Sequence, residues 1–188
     1  LILGTDLLEH PEKAEGANNI VIVGGGVVGC ETAHWLANEY GKNVTVLEML
    51  PHFMMGVCTA NRGHLLHYLE KSGVRLYNCT KVKALAKDGV YVEQNQSQTV
   101  PDPYNTWQPL LPPNIPNPME KAIKEEIVEK KIPADLIVLA MGGKADETFF
   151  FEAGEEHLAK EIYNIGDSSR AGRVLEAVRG AYHLAVRI

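Results

Sequence analysis

Gly24, Gly26 and Gly29 fall at the G-x-G-x-x-G spacing, and each answers a different requirement of a turn that grips a pyrophosphate. Gly24 permits the tight turn, Gly26 lets the backbone approach the phosphates, and Gly29 lets a following helix pack close to the preceding strand. Gly25, Val27 and Val28 fill the positions between them, so the backbone there, with the positive end of the helix dipole, is the expected phosphate cradle. The second chemical group is Glu48, at the end of the strand pattern Asn43–Glu48 and about 20 residues beyond the last glycine. A carboxylate at that place can accept both hydroxyl protons of an adenosine ribose, whereas a 2′-phosphate would meet like charge. Met49-Leu50-Pro51-His52 follows without an arginine or lysine, which favours NAD(H) over NADP(H). The plainer alternative for Glu48 is a solvated strand end.

These groups need a strand, a turn and a helix to position them, and the surrounding sequence supplies each. Asn19–Val23 is an apolar, β-branched run that predicts a buried strand, and Cys30–Leu36 begins the helix. After Glu48 come a loop over 49–56, an amphipathic helix over 59–71 that ends at Ser72-Gly73, and a short strand over 74–77. Lys81–Leu85 and Val90–Glu93 flank Asp88-Gly89, a hairpin signal, and residues 125–131 offer a third strand for an antiparallel meander. Asp135–Gly143 is a further apolar strand closing in glycines, its end facing the same crevice as Gly24. Residues 161–167 predict a short strand ending in Gly166-Asp167, and 174–188 an amphipathic helix with Leu175, Val178, Tyr182 and Ala185 on one side. The fold class is α/β: a Rossmann-like, three-layer dinucleotide-binding domain with a parallel sheet and a three-stranded antiparallel meander. Between meander strands two and three, residues 101–118 hold seven prolines, which rule out a helix interior or a central strand. Trp107, Leu110, Leu111 and Ile115 in that segment could cap the domain or dock onto a neighbour; a mobile surface insertion is the other reading.

Composition bounds the rest. A chain of 188 residues, 45% hydrophobic and 22% charged, has the make-up of one or two globular domains. Its net charge of -6, with scattered lysines, argues against a nucleic-acid groove. No tract has the length of a bilayer span and no signal-peptide pattern opens the chain, so a cytoplasmic location is the default expectation. The chain begins without methionine, in what reads as the middle of an apolar strand, and is expected to be a piece of a longer protein.

Together, the strings VIVGGGVVGCETAHWLA, VTVLEMLP and YNIGD with LEAVRGAYHLAVRI resemble the pyridine nucleotide-disulfide oxidoreductase superfamily over nearly the whole chain. Within it the chain is similar to the C-terminal part of the NADH:flavin oxidoreductases that include 2-enoate reductase, 2,4-dienoyl-CoA reductase and trimethylamine dehydrogenase. The resemblance implies that residues 1–18 return from an FAD domain, 19–144 form the inserted NAD(H) domain, and 145–188 close the FAD domain. It implies NAD(H) here, FAD in the full-length protein, and a preceding TIM barrel with FMN and an iron–sulfur cluster. By the same resemblance Gly24, Gly26 and Gly29 are the pyrophosphate turn and Glu48 is the ribose acid. Met49 follows that acid, Glu31 lies near the nicotinamide, Gly142 and Gly143 end the later strand, and Gly166-Asp167 meets the FAD ribityl chain. The sequence departs from the family pattern at Met141, in place of threonine, at Ser168, in place of cysteine, and at Ala171-Gly172, in place of Pro-Arg. The last two bear on flavin rather than on NAD(H). No catalytic residue is expected within the chain itself; the partners are a dinucleotide and the remaining domains, and a homo-oligomer is an open alternative. A non-redox module holding a structural ADP, as in trimethylamine dehydrogenase, is the rival function.

Other constellations are weaker. His64 and His67 lie on one helix face without a third ligand at metal spacing, so a solvated face is expected. Cys30, Cys58 and Cys79 are far apart with no C-x-x-C, and Cys30 reads as a small packing residue beneath the helix.

Overall fold

The structure, a computed structural model, describes residues 1–107, 111, 115, 117–119 and 121–188. It divides into two compact units, Leu1–Gly142 and Gly143–Ile188.

In the first unit, β1 (Ile2–Leu3), β2 (Asn19–Val23), β3 (Asn43–Leu47), β4 (Arg75–Tyr77) and β8 (Leu136–Leu139) form a parallel sheet in the order β1-β8-β2-β3-β4. Three strands between β4 and β8, β5 (Thr80–Ala86), β6 (Gly89–Asn95) and β7 (Ile127–Pro133), form a separate antiparallel sheet. The helices are α1 (Gly4–Glu9), α2 (Val27–Tyr40) and α3 (Thr59–Lys71). Strand periodicity sorts the side chains into two cores. Ile20 and Ile22 of β2 join Val44, Val46 and Val138 against Leu7, Ala33, Leu36, Leu66 and Leu69 of the helices. Val21 and Val23 turn the other way and meet Val90, Val92 and Ile132 of the antiparallel sheet. The result is three layers, helices over parallel sheet over meander, with β2 buried on both faces.

Several expectations shift. Gly89 is not a turn residue: Lys87 and Asp88 make the turn, and Gly89 already pairs with Ala86 and with Pro133. Its φ is +154°, and a Cβ there would lie 2.3 Å from the Ile132 carbonyl, so close approach of β7 is what demands glycine. The third meander strand runs Ile127–Pro133 rather than 125–131, which seats Ile132 in the core and Lys130 Nζ 4.3 Å from the Tyr77 ring centroid. Only Ile2 and Leu3 of the opening residues are extended; the chain turns into α1 at Gly4 so that Leu7 can be buried.

Tyr104, early in the proline-rich segment, covers the sheet edge at β4: its hydroxyl donates to the Val74 carbonyl at 2.6 Å and accepts from the Leu76 N–H at 3.2 Å. That gives residues 101–107 a built place in the first unit, while Trp107, Leu111 and Ile115 are exposed. Leu110 lies outside the described residues.

The second unit holds α4 (Thr148–Glu155), which the sequence reading did not anticipate, and α5 (Val174–Ala185). The strand expected over 161–167 is absent. Residues 161–165 carry no regular structure, Ile165 being extended, and the chain closes in a turn at Gly166–Ser168 where Ser168 Oγ donates to Asn164 Oδ1 at 2.6 Å. A strand needs a neighbour, and no strand exists among the described residues of this unit. Leu175, Val178 and Tyr182 of α5 are all exposed.

Gly89→Ala should destabilise the first unit by about 1–3 kcal/mol in urea unfolding, because the added methyl both clashes and strains φ.

Candidate functional site

The turn from β2 to α2 is tight in three places and open in one. Gly24 has φ +115°, and a Cβ on it would stand 2.4 Å from the Ala140 carbonyl oxygen at the end of β8. A Cβ on Gly29 would come 2.0 Å from the Gly24 carbonyl oxygen, so α2 can begin against β2 only through a glycine. Gly25, which the motif leaves unassigned, is also confined: a Cβ there would stand 2.4 Å from the Phe53 ring. Gly26 is the contrast: a Cβ there meets nothing within 4 Å. No side chain caps α2 at Gly26, so the N–H groups of its first turn, from Val27, Val28 and Gly29, have no intrahelical partner. Val27 is half-buried against the helix-side core and Val28 is exposed.

Glu48 immediately follows β3. Its Oε2 accepts the Gly25 N–H and its Oε1 the Leu50 N–H, both at 2.8 Å. The sequence reading reserved both oxygens for a ribose diol; each in fact already holds one backbone amide. A carboxylate offers about four acceptor positions, so each oxygen keeps one for a further donor. Glu48 is thereby fixed beside the turn rather than swinging in solvent.

Other expected residues sit around this centre. Glu31 is exposed at the start of the second turn of α2, Met49 is exposed after Glu48, and Gly142 follows β8 with φ +90°. The structure thus gathers Gly24–Gly29, Glu48 and the end of β8 at the carboxyl ends of the parallel strands, where open α/β sheets bind ligands. Gly143, Gly166 and Asp167 are in the second unit. There Gly166 has φ +68° and Asp167 Oδ1 accepts the Gly172 N–H at 3.1 Å.

Sequence reasoning missed the loop after Glu48. Phe53 and Met54 are buried, and the Met54 N–H donates to the Gly25 carbonyl at 2.8 Å. Arg62 of α3 in turn donates Nε to the Phe53 carbonyl at 2.9 Å. The loop's apolar Phe53-Met54 pair was the available signal. His64 and His67 are exposed and lie edge-on to Tyr68.

Residues 4–179 match the family described as pyridine nucleotide-disulphide oxidoreductase. The chain belongs to that family. Among curated members, it is 26% identical over 183 residues to an NADH oxidase of Thermoanaerobacter brockii, covering 97% of this chain and 23% of that protein. It is 22% identical to a cinnamate reductase of Clostridium sporogenes, covering 94% and 22%. Among solved structures it resembles a 2-naphthoyl-CoA reductase complex with TM-score 0.73 at 24% identity, over 100% of this chain and 23% of that one. The chain therefore spans about a quarter of the length of these oxidoreductases and shares their fold. No described helix is long and apolar enough to cross a membrane.

Within this pyridine nucleotide oxidoreductase unit, Cys30 is a packing residue. It is fully buried, its Sγ lies 3.6 Å from the Gly25 carbonyl, and burial, with Glu48 nearby, pushes its thiol up to about 12. Desolvation overrides the lowering that a helix N-terminus would give. A thiol reagent at pH 8 should modify exposed Cys58 in the native protein and leave Cys30 intact until unfolding, as peptide mass mapping would record.

Proposed function

We propose that the first unit binds NAD(H) across Gly24–Gly29 and Glu48 and presents it to the FAD of a longer flavin-dependent reductase. The observation that carries this reading is the single open glycine. Gly24, Gly25 and Gly29 are each hemmed in by protein atoms, whereas Gly26 faces free space beside the uncapped start of α2. That is the geometry a pyrophosphate requires: room at one Cα and unpaired N–H groups around it. Glu48, held by two amides, keeps its remaining lone pairs for ribose hydroxyls and sets negative charge against a 2′-phosphate. The nicotinamide supplies hydride when bound; the residues of this chain bind it and orient it. Glu31, on the second turn of α2, is the candidate on the nicotinamide side, with Met49 beside the ribose and Gly142 along the crevice.

Residues 1–18 and 145–188 are assigned in this reading to an FAD domain, with Gly166 and Asp167 on the flavin. The exposed apolar side of α5, and Phe149 and Phe151 of α4, fit a unit that buries its surface against further chain. A barrel with FMN and an iron–sulfur cluster would precede it, and the organic substrate would belong there. One observation favours a second reading, a structural ADP. The glycine turn and Glu48, the groups held in defined geometry, address only the ADP half of a dinucleotide.

Calorimetric titration with NADH, NADPH and ADP tests both readings. NADH should bind more tightly than NADPH, and more tightly than ADP if the nicotinamide is also held; equal affinity for NADH and ADP would favour the structural nucleotide. Gly26→Val should weaken NADH at least about tenfold while leaving the unfolding free energy within about 1 kcal/mol of wild type, because its side chain enters the ligand's space and not the protein's. Glu48→Gln should narrow the preference for NADH over NADPH and cost about 1–3 kcal/mol, since one of its two amides loses its acceptor.

A further inference from the structure

Among the described residues, Arg62 is the one buried charged side chain, 3% exposed, and it forms no ion pair. Burying a guanidinium without a carboxylate is unfavourable unless its N–H groups are satisfied. Here two backbone carbonyls accept from two of its five N–H groups: Nε donates to Phe53 at 2.9 Å and Nη1 to Asn105 at 3.0 Å. A planar fork suits that task, since it fixes two acceptors in one geometry.

What the fork holds is the floor of the glycine turn. The Phe53 ring packs where a Gly25 Cβ would be, and the next residue, Met54, donates its N–H to the Gly25 carbonyl. Met54 does this at φ +52°, in the left-handed region that a methionine rarely adopts and that persists only where neighbours over-determine it. Arg62 grips the carbonyl immediately before that strained residue. Its other acceptor, Asn105, belongs to the proline-rich segment. That segment is tied to the same loop a second time, by Asn78 Nδ2 donating to the carbonyls of Pro51 at 2.7 Å and Pro101 at 2.8 Å.

We propose that Arg62 is a positioning residue for the nucleotide site: its guanidinium clamps Phe53 and Asn105 together, so that the start of the proline-rich segment supports the turn under Gly25. Through the clamp, a segment that leaves the chain between β6 and β7 and lies along β4 at Tyr104 can buttress a site made by β2, β3 and α2. The proposal rests on the reading that the turn takes a dinucleotide.

The test compares NADH affinity and urea stability in wild type, Arg62→Met, Arg62→Lys and Leu69→Ala. Leu69 is buried on the same helix without touching the clamp's hydrogen bonds, so its truncation controls for loss of stability alone. Both Arg62 variants should weaken NADH about tenfold, lysine included because one ammonium cannot reproduce the fork, while Leu69→Ala stays within about twofold. Arg62→Ala should regain part of its affinity in millimolar methylguanidinium, a rescue that general destabilisation would not produce. Wild-type protein gives a readout that needs no variant to fold: NADH should slow hydrogen exchange at the Asn105 amide, across the clamp from the turn. Arg62 variants that bind NADH like wild type, or an Asn105 amide unmoved by NADH, would overturn the proposal alone. Failure of the wild type to bind any adenine nucleotide would instead overturn the functional reading and the proposal with it.

Discussion

The contact on which the rest of this structure depends is the approach of α2 to the end of β2, where a Cβ on Gly29 would stand 2.0 Å from the Gly24 carbonyl oxygen. Close packing at that point aims the unpaired N–H groups of the helix along the carboxyl edge of the sheet. Everything nearby is arranged around the resulting turn. The end of β8 touches Gly24, Glu48 receives the Gly25 N–H, and the loop after Glu48 returns to the Gly25 carbonyl. The turn is thus held from three elements on its protein side and left open at Gly26 on the other.

Much of this was legible because the pattern repeats one physical requirement at several levels. A buried parallel strand must be apolar on both faces, as Ile20–Val23 is, and the same residues divide between two cores because β2 is covered by helices and meander alike. Helix α3 was readable residue for residue from its apolar spacing and its Ser72-Gly73 end. Features set by tertiary contact were less legible. Gly89 looked like a turn glycine, and only the neighbouring carbonyl of Ile132 shows that strand packing requires it. Residues 161–167 have strand composition but no strand beside them in their unit, so they stay unpaired.

The site was legible in its backbone and less so in its supports. Glycine spacing and a terminal acid are written in one dimension, so Gly24, Gly26, Gly29 and Glu48 could be named as a group before any geometry was known. That Glu48 already serves two amides could not be, because its partners are set by how two loops fold back. Arg62 and Asn105 are 43 positions apart, and nothing local in either marks them as neighbours. Phe53 and Met54 fall in a stretch legible only as a loop, though burial makes them the floor of the turn.

The central claim is that the open side of this turn receives a pyrophosphate on the first amides of α2. Residue-resolved hydrogen exchange with and without NADH addresses it most directly. The account predicts that saturating NADH slows exchange at the amides of Val27, Val28 and Gly29, and that Gly26→Val abolishes the effect. Bound NADH that leaves these three amides unchanged would place the ligand elsewhere and contradict the account.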